Sequence, residues 1–426
     1  MKTPLRSVIL AVALCSGPAA GLRGQTATPP VERVLEDVRF LASDSLQGRL
    51  TGTPQADTAA AYVARRFAQV GLQASPRGWF QDFVIARDAP SAVRAGIGGV
   101  TGRNVIGVLP GREPGLRNQI VVVGAHYDHL GLGRFGTLDP DSAGIIHNGA
   151  DDNASGVAAL MRIAGILAAA PPPRTVVFIA FSGEEEGLLG SSYYVRNPIF
   201  PMSSVVAMVN LDMVGRLRND RLLVYGSATA TEFPALLDSL NASAGFALHY
   251  QGDGHGPSDQ SSFYDAGKPV LHLFTDLHED YHRTGDDWWK VSGEGILRVA
   301  DFTAAVVRAI ATRPEPPTYV NLPPPPVTAR TAAATPGYGA YLGTIPDMAG
   351  GTTGIRLSGV RSGSPADSAG LRRDDVIIRI GDQEVPDLQA MTDVLRSHRP
   401  GDVVEITFLR EGVEQKVKTR LGTRGA

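Results

Sequence analysis

Five short segments of this 426-residue chain concentrate imidazoles and carboxylates. They are His126-Tyr127-Asp128-His129, Asn148-Gly149-Ala150-Asp151-Asp152-Asn153, Ser182-Gly183-Glu184-Glu185-Glu186-Gly187, Asp212-Met213 and Asp280-Tyr281-His282-Arg283-Thr284-Gly285-Asp286-Asp287. Several carboxylates cannot all stay ionised in a partly desolvated cleft unless cations offset them. If Asp152, Glu185 and Asp212 supply negative charge and His126 and His282 neutral nitrogens, two divalent ions and one shared hydroxide bring the site near neutrality. Mixed nitrogen and oxygen ligands suit zinc, with cobalt or manganese as substitutes, whereas a calcium site would lack the imidazoles. Two ions about 3.5–4 Å apart share a water, lower its pKa and stabilise the oxyanion formed when it attacks a carbonyl. Glu184 is then left to work as a base.

Such a site needs elements that bring the five segments to one place. Ile120–Gly124, Thr175–Phe181 and Val205–Leu211 are short β-branched runs, and a cluster follows each. The run Val270–Phe274 precedes the segment around His282. Helical spacing over Ser155–Ala170 stops at Pro171-Pro172-Pro173, and further helices are expected near Thr58–Val70, Glu232–Ala244 and Glu294–Thr312, with another strand at Leu222–Tyr225. Alternation of this kind predicts an α/β fold with a mixed, largely parallel central sheet and helices on both faces. Ligands in such sheets gather at the carboxyl ends of the strands, where the clusters fall.

The ordered motifs His126-Tyr127-Asp128, Asp151-Asp152-Asn153-Ala154-Ser155-Gly156, Glu184-Glu185-Glu186-Gly187-Leu188-Leu189-Gly190-Ser191, Asn210-Leu211-Asp212-Met213 and Tyr281-His282 resemble those of the M28 family of zinc peptidases, of the bacterial aminopeptidase type. The resemblance spans about Val31 to Thr312. It implies that Asp152 bridges two Zn²⁺ ions, with His126 and Asp212 completing one site and Glu185 and His282 the other. It makes Glu184 the general base, Asp128 the carboxylate that orients the His126 imidazole, and Tyr281 a phenol that hydrogen-bonds the oxyanion. It further implies a cis peptide between Asp152 and Asn153.

Other polar residues nearby carry plainer readings. Asp151 suits the positive end of the helix that follows it, and Glu186 reads as solvated or as support for its neighbours. His129 and His147 match no ligand and read as loop or pocket-rim histidines. His255 lies on the glycine-rich stretch Gly252-Asp253-Gly254-His255-Gly256-Pro257-Ser258-Asp259, which resembles a loop bordering the family's substrate cleft and reads otherwise as a mobile loop. Asp286-Asp287 is expected to orient His282. The segment Leu41–Arg49 reads as scaffold.

Composition bounds the rest. With 40 Lys+Arg against 43 Asp+Glu, a net charge of −3 and no long basic run, the chain lacks the electrostatic footprint of a nucleic-acid or anionic-membrane binder. Residues 1–24 follow the charged, apolar, small order of a secretory signal, and their apolar run is too short to span a bilayer. Cleavage there would remove Cys15, the single cysteine, and leave a secreted or periplasmic protein with no integral membrane span. Leu14 is large where lipoprotein sites prefer a small residue, which argues against lipid anchoring through Cys15.

A metal-binding domain is thus expected over 28–313 and a stiff proline-rich spacer over 314–335, densest at Pro314–Pro326. Residues 336–424 resemble a bacterial PDZ domain: Tyr341-Leu342-Gly343-Thr344 matches the loop that holds a peptide carboxylate, followed by Ser364-Pro365-Ala366, Ala369-Gly370-Leu371 and Val376–Ile380. An exposed strand edge beside that loop would accept a peptide C-terminus as an added strand. Asp374-Asp375 stands where the family has Gly-Asp, which asks Asp374 to adopt a turn conformation easier for glycine. The expected function is a secreted two-zinc aminopeptidase acting on peptides, with a PDZ module that recruits or gates them. Carboxypeptidase, amidohydrolase or glutaminyl cyclase chemistry on the same frame, or an inactive peptide-binding scaffold, are the alternatives.

Overall fold

Besides Met1, the computed structural model describes residues 29–322 and 340–422, except 89, 138–141, 257, 279, 347–353, 387–389, 392–393 and 396–397. The expected signal segment with Cys15, residues 323–335 of the spacer and the first residues of the PDZ-like region, 336–339, lie outside the described residues.

The larger sheet contains β1 (Gln73–Ala74), β2 (Phe80–Val84), β3 (Thr101–Leu109), β4 (Ile120–His126), β5 (Thr175–Phe181), β6 (Val205–Leu211), β7 (Arg221–Tyr225), β8 (Ala247–Gln251) and β9 (Val270–Phe274). Their order is β1-β3-β5-β4-β6-β9-β7-β8, with β2 also paired to β3. Strands β5, β4, β6 and β9 form a parallel centre, and antiparallel strands flank it on both sides. This is the mixed α/β sheet that the alternation predicts. The chain leaves β4 for β5 on one side and returns to β6 on the other, so the sheet has its topological switch at β4, where ligands of such folds collect.

The sequences of β4 and β5, IVVVGAH and TVVFIAF, are buried at every position. Unbroken apolar runs of this kind belong to strands covered on both faces. Alternate side chains serve opposite layers: Val121 and Val123 join the core under the helices α1 (Pro30–Leu41), α2 (Pro54–Gln69), α4 (Gly156–Ala169), α6 (Phe233–Ala244) and α8 (Gly293–Thr312). Ile120 and Val122 instead meet Phe181, Tyr194 and Phe263 under α5 (Leu189–Arg196) and α7 (Gln260–Asp265). A short helix α3 (Pro90–Ala95) lies near the β2 edge. Helix α2 starts at Pro54, four residues before the apolar periodicity becomes visible, because the Thr53 side chain accepts from the Ala56 N–H and proline is at home in the first turn.

Residues 314–322 are not the spacer that their prolines suggest. The chain pairs Tyr319 with Ala230, Val320 N–H donates to the Thr229 carbonyl at 2.8 Å, and Leu322 N–H donates to the Tyr264 hydroxyl at 2.9 Å. Proline removes donors only where it stands, and Thr318–Leu322 keeps enough of them to dock as a strap.

The second unit is an antiparallel sheet of β10 (Thr344–Pro346), β11 (Ile355–Val360), β12 (Val376–Ile380), β13 (Gln383–Glu384), β14 (Val403–Arg410) and β15 (Val413–Arg420), with the short helix α9 (Pro365–Ser368). In the Tyr341–Thr344 loop the Leu342 and Gly343 carbonyls accept from Ala366 N–H and Arg361 N–H. Asp374 sits at φ 69, the left-handed conformation expected of it. Its neighbour Asp375 is buried and takes a two-pronged contact from Arg410 at 2.7 and 2.8 Å. Among the described residues, no helix is long and apolar enough to cross a membrane.

Candidate metal centre

The segments that follow the carboxyl ends of β4, β5, β6 and β9 and the turn before α4 converge at the switch point. His126 ends β4, Asp212 directly follows β6, and Glu184 and Glu185 follow β5 by three and four residues. Asp152 lies in the turn Ala150–Ser155, where its own backbone leaves the helical region at φ −104, ψ 93, and its peptide to Asn153 is cis.

Asp152 is the centre of the arrangement. Its Oδ1 lies 3.3 Å from His126 Nε2 and its Oδ2 lies 3.2 Å from His282 Nε2, so the two oxygens face two different imidazoles. Asp212 Oδ1 is 3.3 Å from His126 Nε2, and Glu185 Oε2 is 3.1 Å from His282 Nε2. Ligand bonds of about 2.0–2.1 Å around a tetrahedral zinc place neighbouring donor atoms about 3.3 Å apart. All four separations match that edge, so the donor set fits two ions that share Asp152. The five residues expected to hold metal thus lie together, with Asp152 between the two imidazoles; among the described residues His126, Asp152 and Asp212 form one group able to hold an ion, and Asp152 and Glu185 form another with His129.

Glu184 points into the same space, its Oε2 4.0 Å from His126 Nε2. Burial, reinforced by Asp212, Glu185 and Asp259, raises its pKa well above the usual carboxylate range in the metal-free site. Asp128 supports the centre differently from expectation. The His126 Nδ1 partner is the Asp128 main-chain carbonyl at 3.2 Å, while the carboxylate stands 3.7 Å away and accepts from the Glu184 and Glu185 N–H groups at 3.3 and 3.4 Å. Tyr281 stacks flat on the His282 ring, centroids 4.0 Å apart.

Several plainer readings need correction. Asp286 and Asp287 do not orient His282, whose Nδ1 is 2.9 Å from the Gly136 carbonyl. Asp286 instead accepts from the Asp151 and Asp152 N–H groups at 2.9 and 3.0 Å, cradling the bridging turn, and Asp287 accepts from the Asn148 amide. Asp151 lies in the turn five residues before α4, where its carboxylate accepts from the Ser155 hydroxyl at 2.9 Å and the Gly215 N–H at 2.6 Å. Glu186 is not solvated: it is buried, with neither carboxylate oxygen hydrogen-bonded among the described residues. Burial and the charges of Asp128 and Glu185 push its pKa well up. His147 keeps its loop role, its Nε2 2.9 Å from the Thr137 hydroxyl. His255 is wedged between Asp253 and Asp265 and meets Tyr264 edge-on. His129 is no rim residue: it is fully buried against Glu185.

Two further residues escaped the sequence reading. Arg49, in the supposed scaffold, is fully buried and donates to the carbonyls of Leu41, Tyr127, Asn148 and Gly149. Its pKa falls to about 10 through burial, opposed by Asp128, Asp152 and Asp286, so it remains a cation at neutral pH. Asp259 is buried with both oxygens unbonded among the described residues, and burial together with Asp128 and Asp212 raises its pKa to about 7. Gly149, at φ 56, leaves no room for a side chain, since a Cβ there would overlap the Asp152 carbonyl and the His129 ring.

Residues 104–307 match the family model for peptidase family M28, and residues 340–421 match that for the PDZ domain. The chain joins an M28 peptidase domain to a PDZ domain. Leupeptin-inactivating enzyme 1 of Streptomyces exfoliatus is 32% identical over 47% of the chain, and aminopeptidase YwaD of Bacillus subtilis 29% identical over 51%. The matched regions are 42% and 47% of those relatives, so the chain spans about half the length of each. The M28 peptidase domain also superposes on the aminopeptidase from Aneurinibacillus sp. strain AM-1, with TM-score 0.53, 19% identity, and coverage of 68% of this chain and 96% of that one. A glutaminyl cyclase from Bacteroides thetaiotaomicron gives TM-score 0.53, 18% identity, and coverage of 65% and 97%. The M28 fold is therefore shared by both kinds of protein.

The charges around the metal ligands carry a pH prediction. Burial alone would lower the pKa of both ligand imidazoles, but Asp212 and Glu184 hold His126 well above its ordinary value. Glu185 and Asp152 likewise hold His282 up, at about 10. Both rings are thus protonated in the metal-free protein at neutral pH and must lose those protons to bind metal. Loading at pH 7 is expected to release about two protons from these rings, read by calorimetry in buffers of different ionisation enthalpy. Because the proton competes with the ion, apparent affinity should rise with pH and the release from His282 should fade as pH passes about 10.

Proposed function

We propose that the protein is a secreted or periplasmic aminopeptidase that holds two Zn²⁺ ions and removes N-terminal residues from peptides, with the PDZ domain recruiting or gating substrates. The observation that carries this reading is the pair of Asp152 oxygens, each at a ligand-edge distance from a different imidazole. Bound at His126, Asp152, Asp212 and at Asp152, Glu185, His282, the ions would supply Lewis acidity to the scissile carbonyl and acidify the attacking water. Cobalt or manganese suits the same donors.

The chain's own groups do the rest. Glu184 takes the proton of the attacking water and hands it to the leaving amine. Asp128 holds the Glu184–Glu185 turn by its N–H groups and keeps His126 aimed through its carbonyl. Arg49 and Asp286 both fix the turn that carries Asp152, one through carbonyls and one through N–H groups. Tyr281 braces His282 by stacking, and its hydroxyl is the proposed donor to the oxyanion. In the PDZ domain, Tyr341, Leu342, Gly343 and Thr344 are the proposed seat for a peptide C-terminus.

The test is release of amino acids from matched free and N-acetylated peptides. An aminopeptidase cleaves the free series and leaves the acetylated one intact. Equal cleavage of both would exclude the aminopeptidase assignment, and conversion of N-terminal glutamine to a cyclised product would point to cyclase chemistry. In the same assay Tyr281→Phe keeps the stack and removes only the hydroxyl. A kcat drop of about 10²-fold is expected if it serves the oxyanion, and an unchanged kcat would leave it as a brace alone.

A further inference from the structure

Glu185 has two oxygens, and they are used differently. Oε2 faces His282 Nε2 at 3.1 Å, the spacing of two ligands on one ion. Oε1 faces His129 Nδ1 at 2.6 Å. That is too short for two donors of a common tetrahedral ion and is the length of a charge-assisted hydrogen bond. His129 also stands 4.0 Å from Asp152 Oδ1, outside the spacing that the other ligand pairs keep.

The His129 ring has little freedom to change this role. It is fully buried, lies against the main chain at Gly149 where even a Cβ would strike it, and meets His282 edge-on with centroids 5.8 Å apart. Its Nε2 is buried without a hydrogen-bond partner among the described residues. The carboxylate on Nδ1, with no hydrogen-bond partner on Nε2 among the described residues, places the proton on Nδ1.

We infer that His129 is a positioning residue that restricts Glu185 to one ligating oxygen, and so sets the affinity and coordination of the ion on the His282 side separately from the ion on the His126 side. This rests on the two-ion reading above. With Oε1 held by His129, Glu185 cannot close on the ion with both oxygens, and a coordination position stays available for an exchangeable ligand. Without His129 the carboxylate is free to rotate, and that ion loses the orientation of one of its three protein ligands. On the other side His126 and Asp212 make no hydrogen bond or ion pair with His129 among the described residues, and Asp152 Oδ1, which completes that side, lies 4.0 Å from His129, beyond hydrogen-bond reach, so that ion should feel the change much less.

Equilibrium dialysis of the full-length, metal-stripped protein against chelator-buffered Zn²⁺ resolves the two ions. His129→Phe keeps a planar ring without the donor and is expected to weaken one ion by about 10–100-fold while leaving the other within about twofold of wild type. His129→Asn places an amide nitrogen where Nδ1 stood and should restore most of the loss. His129→Gln reaches the Nε2 position instead and should not. Co²⁺ bound at the weakened site should show lower visible absorption per ion than in wild type, as a carboxylate closing with both oxygens raises the coordination number. Equal weakening of both ions, wild-type affinity in His129→Phe, or Gln rescuing as well as Asn would each overturn the inference. Should His129→Phe not fold, the Asn and Gln comparison still decides. Wild-type protein that retains fewer than two ions would sink the two-ion reading itself, before any variant is compared.

Discussion

Glu184→Gln is expected to lower kcat by about 10²–10⁴-fold with both ions retained. The change is isosteric, so the turn held by Asp128 through the Glu184 and Glu185 N–H groups stays in place. What is lost is a carboxylate that faces His126 Nε2 from beyond ligand spacing, at 4.0 Å, while Asp152, Glu185 and Asp212 all stand at 3.1–3.3 Å from an imidazole. A group at that position touches the attacking water without competing for an ion, and glutamine cannot accept its proton. Burial raises the Glu184 pKa in the metal-free site, which makes its carboxylate a stronger base toward the attacking water. Steady-state kinetics on a free peptide, with metal content measured on the same sample, is the check. Full activity in the variant would remove Glu184 from its assigned role, whereas loss of metal along with activity would make it a ligand.

The second large effect is predicted at Arg49, which touches neither ion. Arg49→Met is expected to destabilise the peptidase domain by about 3–5 kcal/mol, because it strips a buried cation from among Asp128, Asp152 and Asp286 and takes the donor from the Leu41, Tyr127 and Asn148 carbonyls, while the Gly149 carbonyl keeps only the Ala154 N–H. Two of those carbonyls, of Asn148 and Gly149, belong to the loop leading into Asp152, so metal affinity should fall along with stability. Arg49→Lys keeps the charge but offers a compact ammonium in place of a planar fork, and should recover only part of the loss. Denaturant unfolding of the metal-free protein reads the first effect and dialysis the second. An Arg49→Met protein as stable as wild type would show that water or neighbouring groups satisfy those carbonyls.

The contrast between these two residues explains what could be read from the chain in advance. Glu184 and the candidate ligands His126, Glu185, Asp212 and His282 announce themselves because each stands after a β-branched run, and Asp152 because its acidic turn directly precedes the helical pattern of α4; the rule that ligands gather at strand carboxyl ends converts that spacing into a candidate site. The same runs carry the sheet, since IVVVGAH and TVVFIAF have few other uses than a buried central strand. Arg49 reaches main-chain carbonyls of residues about 100 positions away, and a carbonyl leaves no mark in a sequence. Asp286 is the mirror case, spent on N–H groups of Asp151 and Asp152 although the nearest imidazole in sequence is His282. His129 was overlooked for another reason: ligation accounts for one Glu185 oxygen, and nothing in residue spacing says what becomes of the other. Proline counting failed at 314–322 because it registers missing donors and is blind to the pairing that Thr318–Leu322 still makes.

That strap decides where the peptidase unit can be cut. Helix α8 ends at Thr312, and a truncation there would look clean on secondary structure alone. It would, however, delete the Arg313 and Pro314 carbonyls that receive the buried Arg174 guanidinium. It would also remove the Thr318 groups bonded to the Glu232 carboxylate and the Leu322 N–H held by Tyr264, a residue of the helix that directly follows Asp259. An isolated peptidase fragment should therefore run at least to Leu322 if it is to keep the contacts that Arg174, Glu232 and Tyr264 make in the whole chain.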